Sequence, residues 1–363
     1  MFNNIFHNKT IIVTGHTGFK GSWLALWLLN LGAKVIGIAL DPPTKPSHFI
    51  ETKISSKIQD YRIDLCDLDS VKKIINQNNP DFIFHLAAQS LVRESYINPI
   101  KTWQTNVIGT LNILESLRTL KNRCIGVIVT SDKCYNNKEW NKGYEETDEL
   151  GGYDPYSASK GSAEFVFKSY YKSFFSEEGN NIRIASARAG NVIGGGDWAK
   201  DRIVPDCVKA WSKLETVKLR NPDSTRPWQH VLEPLSGYLN LARLLESNSR
   251  IHGESFNFGP SDKEEFSVLD LVKNMSKYWT NVEWIIDNNS SQSKESSLLK
   301  LNCDKANNIL KWNLAMDFQD TVRLTTEWYK SFYSNSDNIV DKTLSQISEY
   351  SKIAKNNKLE WTK

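Results

Sequence analysis

Short runs rich in Val, Ile and Phe recur along the first half of the chain, and longer stretches between them space their apolar residues three or four apart. A brief apolar run bounded by turn residues marks a buried strand, and the three-to-four spacing marks an amphipathic helix. Strands are therefore expected at 10–14, 34–40, 57–64, 81–86, 126–131 and 182–187, with helices at 18–31, 68–77, 100–120 and 155–175. Alternation of this kind builds βαβ units, in which each crossover returns the chain in the same direction and pairs its strands parallel. The fold class expected is α/β, a doubly wound parallel sheet with a smaller mixed α/β lobe.

After Asn191 the rhythm breaks at Gly194-Gly195-Gly196-Asp197-Trp198 and gives way to shorter mixed elements carrying Trp, Arg and Pro. Single cores stop growing at roughly 250 to 300 residues, so a chain of 363 residues has room for two lobes around a cleft. The division expected is a sheet domain over 1–190, to which some later segments return, a substrate-binding lobe over 191–335, and a polar C-terminal appendage over 336–363. Residues 287–297 are rich in Asn and Ser and read as a loop.

The formal net charge is +3 with both signs interspersed, which lacks the concentrated basic surface of a nucleic-acid binder. Cys66, Cys124, Cys134, Cys207 and Cys303 are scattered, with no C-x-x-C pair, so neither a disulfide framework nor a metal site is expected. The N-terminus has no signal-peptide pattern and no stretch approaches the roughly 18 apolar residues of a membrane span. A cytoplasmic protein with reduced thiols, without a membrane or nucleic-acid partner, is the expectation.

Gly15-His16-Thr17-Gly18-Phe19-Lys20-Gly21 follows the first strand and opens the first helix. Glycines there let the chain turn tightly and approach a pyrophosphate, while the helix N-terminus offers free N–H groups and partial positive charge. This is the context of a dinucleotide-binding Rossmann domain, although the spacing is G-x-x-G-x-x-G. Asp41, just past the second strand, reads either as the carboxylate that binds an adenosine ribose and rejects a 2′-phosphate, favouring NAD, or as a turn residue before Pro42-Pro43. Asp64, ending the third strand, reads either as an adenine contact or as a strand-end cap.

Tyr156 and Lys160 stand four apart in a predicted helix, hence on one face. A phenol needs help to act as a base near neutrality, and an adjacent ammonium favours the phenolate. The fifth strand ends in Thr130-Ser131-Asp132-Lys133. Together these residues resemble the extended short-chain dehydrogenase/reductases, and among them the nucleotide-sugar 4,6-dehydratases. Gly15–Gly21, His85-Leu86-Ala87-Ala88-Gln89, Thr105-Asn106, Ser131–Tyr135, Tyr156–Lys160 and the stretch 187–197 carry the resemblance across most of the chain. Gly18–Trp23, the Asp132-Lys133 pair, Gly194–Trp198 with Asp201–Pro205, and Arg226–Val231 are most similar to the branch that acts on CDP-glucose.

The resemblance implies NAD held by Gly15, Thr17, Gly18, Phe19, Gly21, Asp41, Asp64, Leu65, Leu86, Ala87, Ala88, Gln89, Asn106, Tyr156 and Lys160. It implies CDP-glucose as substrate, touched by Gln89, Ser131, Asn191, Arg202, Arg226 and His230, and a homodimer or homotetramer whose product feeds bacterial surface polysaccharide. Tyr156 would take the sugar 4-OH proton with Ser131 on the same oxygen, and Asp132 would protonate the departing 6-hydroxyl. Relatives of this kind mostly carry Glu after that Asp. Here Lys133 stands instead, either as a neutral C5 base or as a cation stabilising the enolate. A 4-epimerase would need Tyr156, Lys160 and Ser131 but no pair at 132 and 133. Trp198 and Trp228 are open between stacking on the ligand and core packing, and His16 and His230 between contact and structural roles.

Overall fold

The computed structural model describes residues 1–260, 265–286, 299–336 and 338–363, and the loop expected at 287–297 lies outside them. Seven parallel strands form the central sheet: β1 (Thr10–Thr14), β2 (Lys34–Ala39), β3 (Gln59–Arg62), β4 (Phe82–His85), β5 (Cys124–Val129), β6 (Ile182–Ala189) and β7 (Ser255–Phe258). Their order is β7-β6-β5-β4-β1-β2-β3. Alternate side chains serve opposite faces: Ile11 and Val13 of β1 join one core with Trp23 and Trp27, whereas Ile12 joins the other with Val71 and Leu114. A sheet covered on both faces needs apolar residues at consecutive positions, which is why these strands read as continuous runs. The α/β doubly wound fold stands as expected.

The crossovers are α1 (Phe19–Asn30), α2 (Leu68–Asn78), α3 (Gly109–Arg118) and α4 (Pro155–Tyr170). Asp67 and Asp154 cap α2 and α4 by accepting from the backbone N–H groups of Ser70 and Ser157. The stretch expected as one helix over 100–120 is helical but interrupted by a π turn at Gln104–Ile108. Such turns cost regular hydrogen bonding and concentrate at functional places, and this one holds Asn106.

Beyond β6 come α5 (Ile203–Trp211), α6 (Leu232–Ser247), α7 (Val268–Ser276) and α8 (Phe318–Ser334), with short strand pairs between them. Val192–Ile193 pairs with Gln229–His230, and Thr225–Arg226 with Phe266–Ser267. α6 packs back onto β5 and β6.

The segment expected as a polar appendage is an ordered part of the main core. α9 (Ile339–Asn356) packs on α1 and α8, and Ile347, Tyr350, Ala354 and Trp361 are buried. Its apolar residues are few, but their spacing of three and four places them on one face, so a polar average conceals a buried stripe. Trp361 stacks on Phe2, which ties the two chain ends together.

Tyr350 donates to the buried carboxylate of Glu233, which also accepts from the N–H groups of Ala315 and Met316. Burial raises the Glu233 carboxyl from an ordinary 4.5 to about 7 despite these donors. The folded chain therefore retains a proton there that the unfolded chain releases, and this contribution to stability, intact below about 4.5, is lost as pH rises through about 7. Glu233→Gln should remove this contribution: between those limits wild-type unfolding free energy should fall by about 3 kcal/mol relative to the variant, measured by urea titration at each pH.

Candidate active site

Reversal of strand order between β1 and β4 opens a crevice at the carboxyl ends of the sheet, where ligands of doubly wound folds bind. The crevice widens into a cleft of about 1260 Å³ between the sheet and the shorter elements beyond β6. Single small-molecule sites occupy roughly 300 to 1,000 Å³, so this one has space for two ligands side by side.

One end is built by the glycine loop. Gly15 takes φ +73°, and a Cβ there would sit 2.8 Å from the Ala87 backbone, while a Cβ on Gly21 would fall 2.1 Å from the Gly15 carbonyl oxygen. These positions are closed to side chains, and they bring the loop flush against Leu86-Ala87 and the free N-terminus of α1. Thr17 donates to the Leu40 carbonyl at 2.9 Å and so fixes the loop to the end of β2. Gly15, Thr17, Gly18, Phe19, Gly21, Asp41, Asp64, Leu65, Leu86, Ala87 and Ala88 all line the cleft. This tight backbone cradle fits a dinucleotide pyrophosphate.

The Asp41 side chain is 92% exposed, with Arg62 at 3.5 Å. Arg62 is itself engaged by Asp60, at 2.7 and 2.8 Å. Asp64 lines the cleft and also accepts from the Cys66 N–H at 2.9 Å, so it is a loop cap with an open face. His16 faces away: its ring is buried against Phe49 and bonded to Asp60 at 2.8 Å.

At the other end Ser131 leaves β5 and caps a single turn, Asp132–Cys134. Its hydroxyl donates to Asp132 at 2.8 Å, accepts from the Lys133 N–H at 3.2 Å, and opposes the upward shift of the Tyr156 phenol. Asp154 and Pro155 set the start of α4 so that Tyr156 and Lys160 both face the cleft. Ser131, Asp132, Tyr156 and Lys160 are buried. Burial raises the phenol to about 12, although the Ser131 bond works against it. It also lowers the Lys160 ammonium to about 8, opposed by Cys134 and Glu164. Burial therefore dominates the phenol, and the groups that work against it are Ser131 and Arg202, with no part taken by Lys160.

One turn beyond Lys160, Glu164 is fully buried and anchors the motif. It accepts from Thr130, which precedes Ser131, at 2.6 Å, from Ser186 at 3.0 Å and from Arg188 at 2.8 Å. The strand end before Ser131, α4 and β6 thus meet at one carboxylate.

Asn191, Arg202, Arg226 and Trp228 line the far wall. Arg202 is oriented by Asp197 at 2.5 Å, and Trp228 donates to the Phe266 carbonyl at 3.0 Å. Three expected contacts lie elsewhere. The Gln89 side chain donates to Thr102 and to the Leu91 carbonyl and accepts from the Leu91 N–H, so it folds its own loop instead of lining the cleft. Asn106 is buried and bonds Gln89 and Ser159, joining that loop to α4. His230 is buried edge-on to Trp23 behind the wall, and burial brings its imidazole down to about 3. Trp198 packs among Trp328, Tyr329 and Phe332 in the core. Lys20 and Arg220 line the cleft without having been singled out. A cation in the first turn of α1, where the helix dipole disfavours it, was the available signal for Lys20.

The family model described as GDP-mannose 4,6 dehydratase matches residues 12–325, the glycine loop and the Ser131–Lys160 constellation included. The chain belongs to this GDP-mannose 4,6 dehydratase family. Within reach of the family is a CDP-glucose 4,6-dehydratase of Salmonella typhimurium, 43% identical over 351 residues that cover 96% of this chain and 97% of the relative. Solved structures that share the fold include two epimerases. The UDP-glucose 4-epimerase of Thermotoga maritima superposes with TM-score 0.75 at 20% identity, covering 89% of this chain and 99% of that one. The UDP-glucuronic acid 4-epimerase of Bacillus cereus, in complex with UDP-glucuronic acid and NAD, gives TM-score 0.73 at 23% identity, covering 89% and 100%. Among the described residues no helix is long and apolar enough to cross a membrane.

Proposed function

We propose that this member of the family is an NAD-dependent CDP-glucose 4,6-dehydratase, converting CDP-glucose to CDP-4-keto-6-deoxyglucose and water. The observation that carries the reading is the Asp132-Lys133 pair, set beside Ser131, Tyr156 and Lys160 in one cleft that also holds the glycine cradle. Bound NAD would supply reversible hydride acceptance, so that oxidation at C4 and reduction at C6 leave no net redox change. The exposed Asp41 carboxylate at the adenosine end, with Arg62 already claimed by Asp60, supports NAD over NADP.

Tyr156 takes the proton of the sugar 4-OH while Ser131 holds the same oxygen. The ketone formed at C4 acidifies the C5 proton. Buried Asp132 donates a proton to the departing 6-hydroxyl, which leaves as water. Lys133 either takes the C5 proton as a neutral amine and returns it when hydride reaches C6, or steadies the enolate as a cation while water takes and returns that proton. Lys133→Arg separates those two roles, because a guanidinium keeps the charge and cannot be deprotonated. A cationic role predicts kcat within about tenfold of wild type, and a basic role a loss of about 10² or more in a steady-state assay. Arg202 and Arg226 meet the substrate diphosphate, as guanidinium forks match phosphate oxygens.

The nucleotide preference is tested by comparing kcat/KM for CDP-glucose, dTDP-glucose and GDP-mannose. CDP-glucose should lead by at least about tenfold, and parity or a different leader would overturn the assignment.

A row of exposed apolar residues, Ile97 and Ile100 near 72–73% and Phe165 at 58%, supports docking of a second copy through the packed helices around α4. Ile100→Asp with Phe165→Asp should convert a dimer to monomer in sedimentation experiments, with the far-ultraviolet spectrum unchanged.

A further inference from the structure

Lys20 occupies the second position of α1, directly after the glycine turn, and lines the same cleft as the catalytic loop. Everything nearby except Asp132 disfavours a positive charge there. The helix N-terminus carries its own partial positive charge, and no acidic residue stands in the first turn of α1 to offset it. The residue as a whole is half-buried, and among the described residues no hydrogen bond or ion pair reaches its ammonium. Burial is the main reason it falls to about 8; Asp132 opposes the fall, while Arg202 and Lys160 add to it. A cation held against desolvation, a helix dipole and two like charges marks a place where stability has been given up for a ligand. The missing partner is an anion: Arg202 is already paired with Asp197, and among the described residues Asp132 is the one carboxylate that acts on Lys20.

We propose that Lys20 is a diphosphate-binding residue whose ammonium closes on the diphosphate of a nucleotide brought to the first turn of α1. This rests on the nucleotide-sugar reading above. Two nucleotides of that reading carry the group: the dinucleotide, whose pyrophosphate comes to the glycine cradle, and the sugar nucleotide, whose diphosphate lies toward Arg202. The contact is a charge-assisted hydrogen bond in a partly dry site, the kind whose removal costs about 10- to 100-fold in affinity.

The test is equilibrium binding, read by calorimetry, of ADP-ribose and of CDP to the intact wild type, Lys20→Met and Lys20→Arg, with thermal melting of each unliganded protein. Lys20→Met should weaken at least one ligand about 10-fold or more and melt at the wild-type temperature or above, since an unpaired cation has been removed. Lys20→Arg should stay within about threefold of wild type. Weakening confined to ADP-ribose assigns Lys20 to the cofactor, and weakening confined to CDP assigns it to the sugar nucleotide. Unchanged affinity for both ligands, or a Lys20→Met protein that melts lower and loses both together, overturns the proposal. A wild type that binds neither ligand contradicts the nucleotide-sugar reading itself.

Discussion

Tyr156→Phe should lower kcat by about 10³-fold while the protein melts within a few degrees of wild type. The ring fills the same space, so packing beside Ser131 survives; what disappears is the oxygen that exchanges a proton with the sugar 4-OH. Ser131 retains its bonds to Asp132 and to the Lys133 N–H, so the loop has other supports. Burial holds the phenol near 12 and the Lys160 ammonium near 8 before ligands bind, so the resting pair at neutral pH is a neutral phenol beside a cation. Proton transfer then draws on the substrate hydroxyl and the charge that builds at C4. Steady-state turnover with circular dichroism melting checks this. Near-normal turnover in the variant would remove Tyr156 from the chemistry.

The second large effect should come from Asp132→Asn, which separates the two halves of the reaction. An amide matches the carboxylate in shape and still accepts from the Ser131 hydroxyl, the bond seen at 2.8 Å. It has no acidic proton to give the departing 6-hydroxyl. Oxidation at C4 should persist while water loss falls by about 10² to 10⁴. Mixing the variant with CDP-glucose should therefore build a reduced-nicotinamide absorbance that decays slowly, where the wild type shows little. If the variant neither reduces nicotinamide nor releases water, Asp132 positions the substrate instead of supplying the proton.

The alternating strands and helices were legible because a sheet buried on both faces requires unbroken apolar runs, and β1, β4 and β5 are such runs. β7 escaped notice for the opposite reason. Its four residues, Ser255–Phe258, alternate with polar side chains that are spent on buried bonds, Asn257 accepting from Tyr135 and Ser255 bonding Ser186. Hydropathy has no signal for a strand whose polar positions are satisfied inside the protein. The C-terminal helix escaped through averaging, since a narrow apolar face is diluted by Lys, Asn and Ser elsewhere on the turn.

At the site, motif residues adjacent in sequence were readable because local geometry carries them together: the glycine turn, Ser131–Lys133, and Tyr156 with Lys160. Gln89, Asn106 and His230 show the limit. Motif membership does not say which side of a loop or strand a side chain takes, and all three turn inward, where they bond or pack against the frame of the cleft. Lys20 shows the converse, as its place beside the catalytic loop comes from the direction in which α1 leaves the sheet.

The most direct test of the central claim uses CDP-glucose labelled with deuterium at C4, with the product examined by mass spectrometry and proton resonance. The account predicts loss of one water and deuterium carried within the same molecule to C6, since hydride leaves and returns while one substrate molecule stays bound. A product that keeps its water, or that shows inversion or exchange at C4 alone, would contradict it and make the Asp132-Lys133 pair a structural feature of an epimerase.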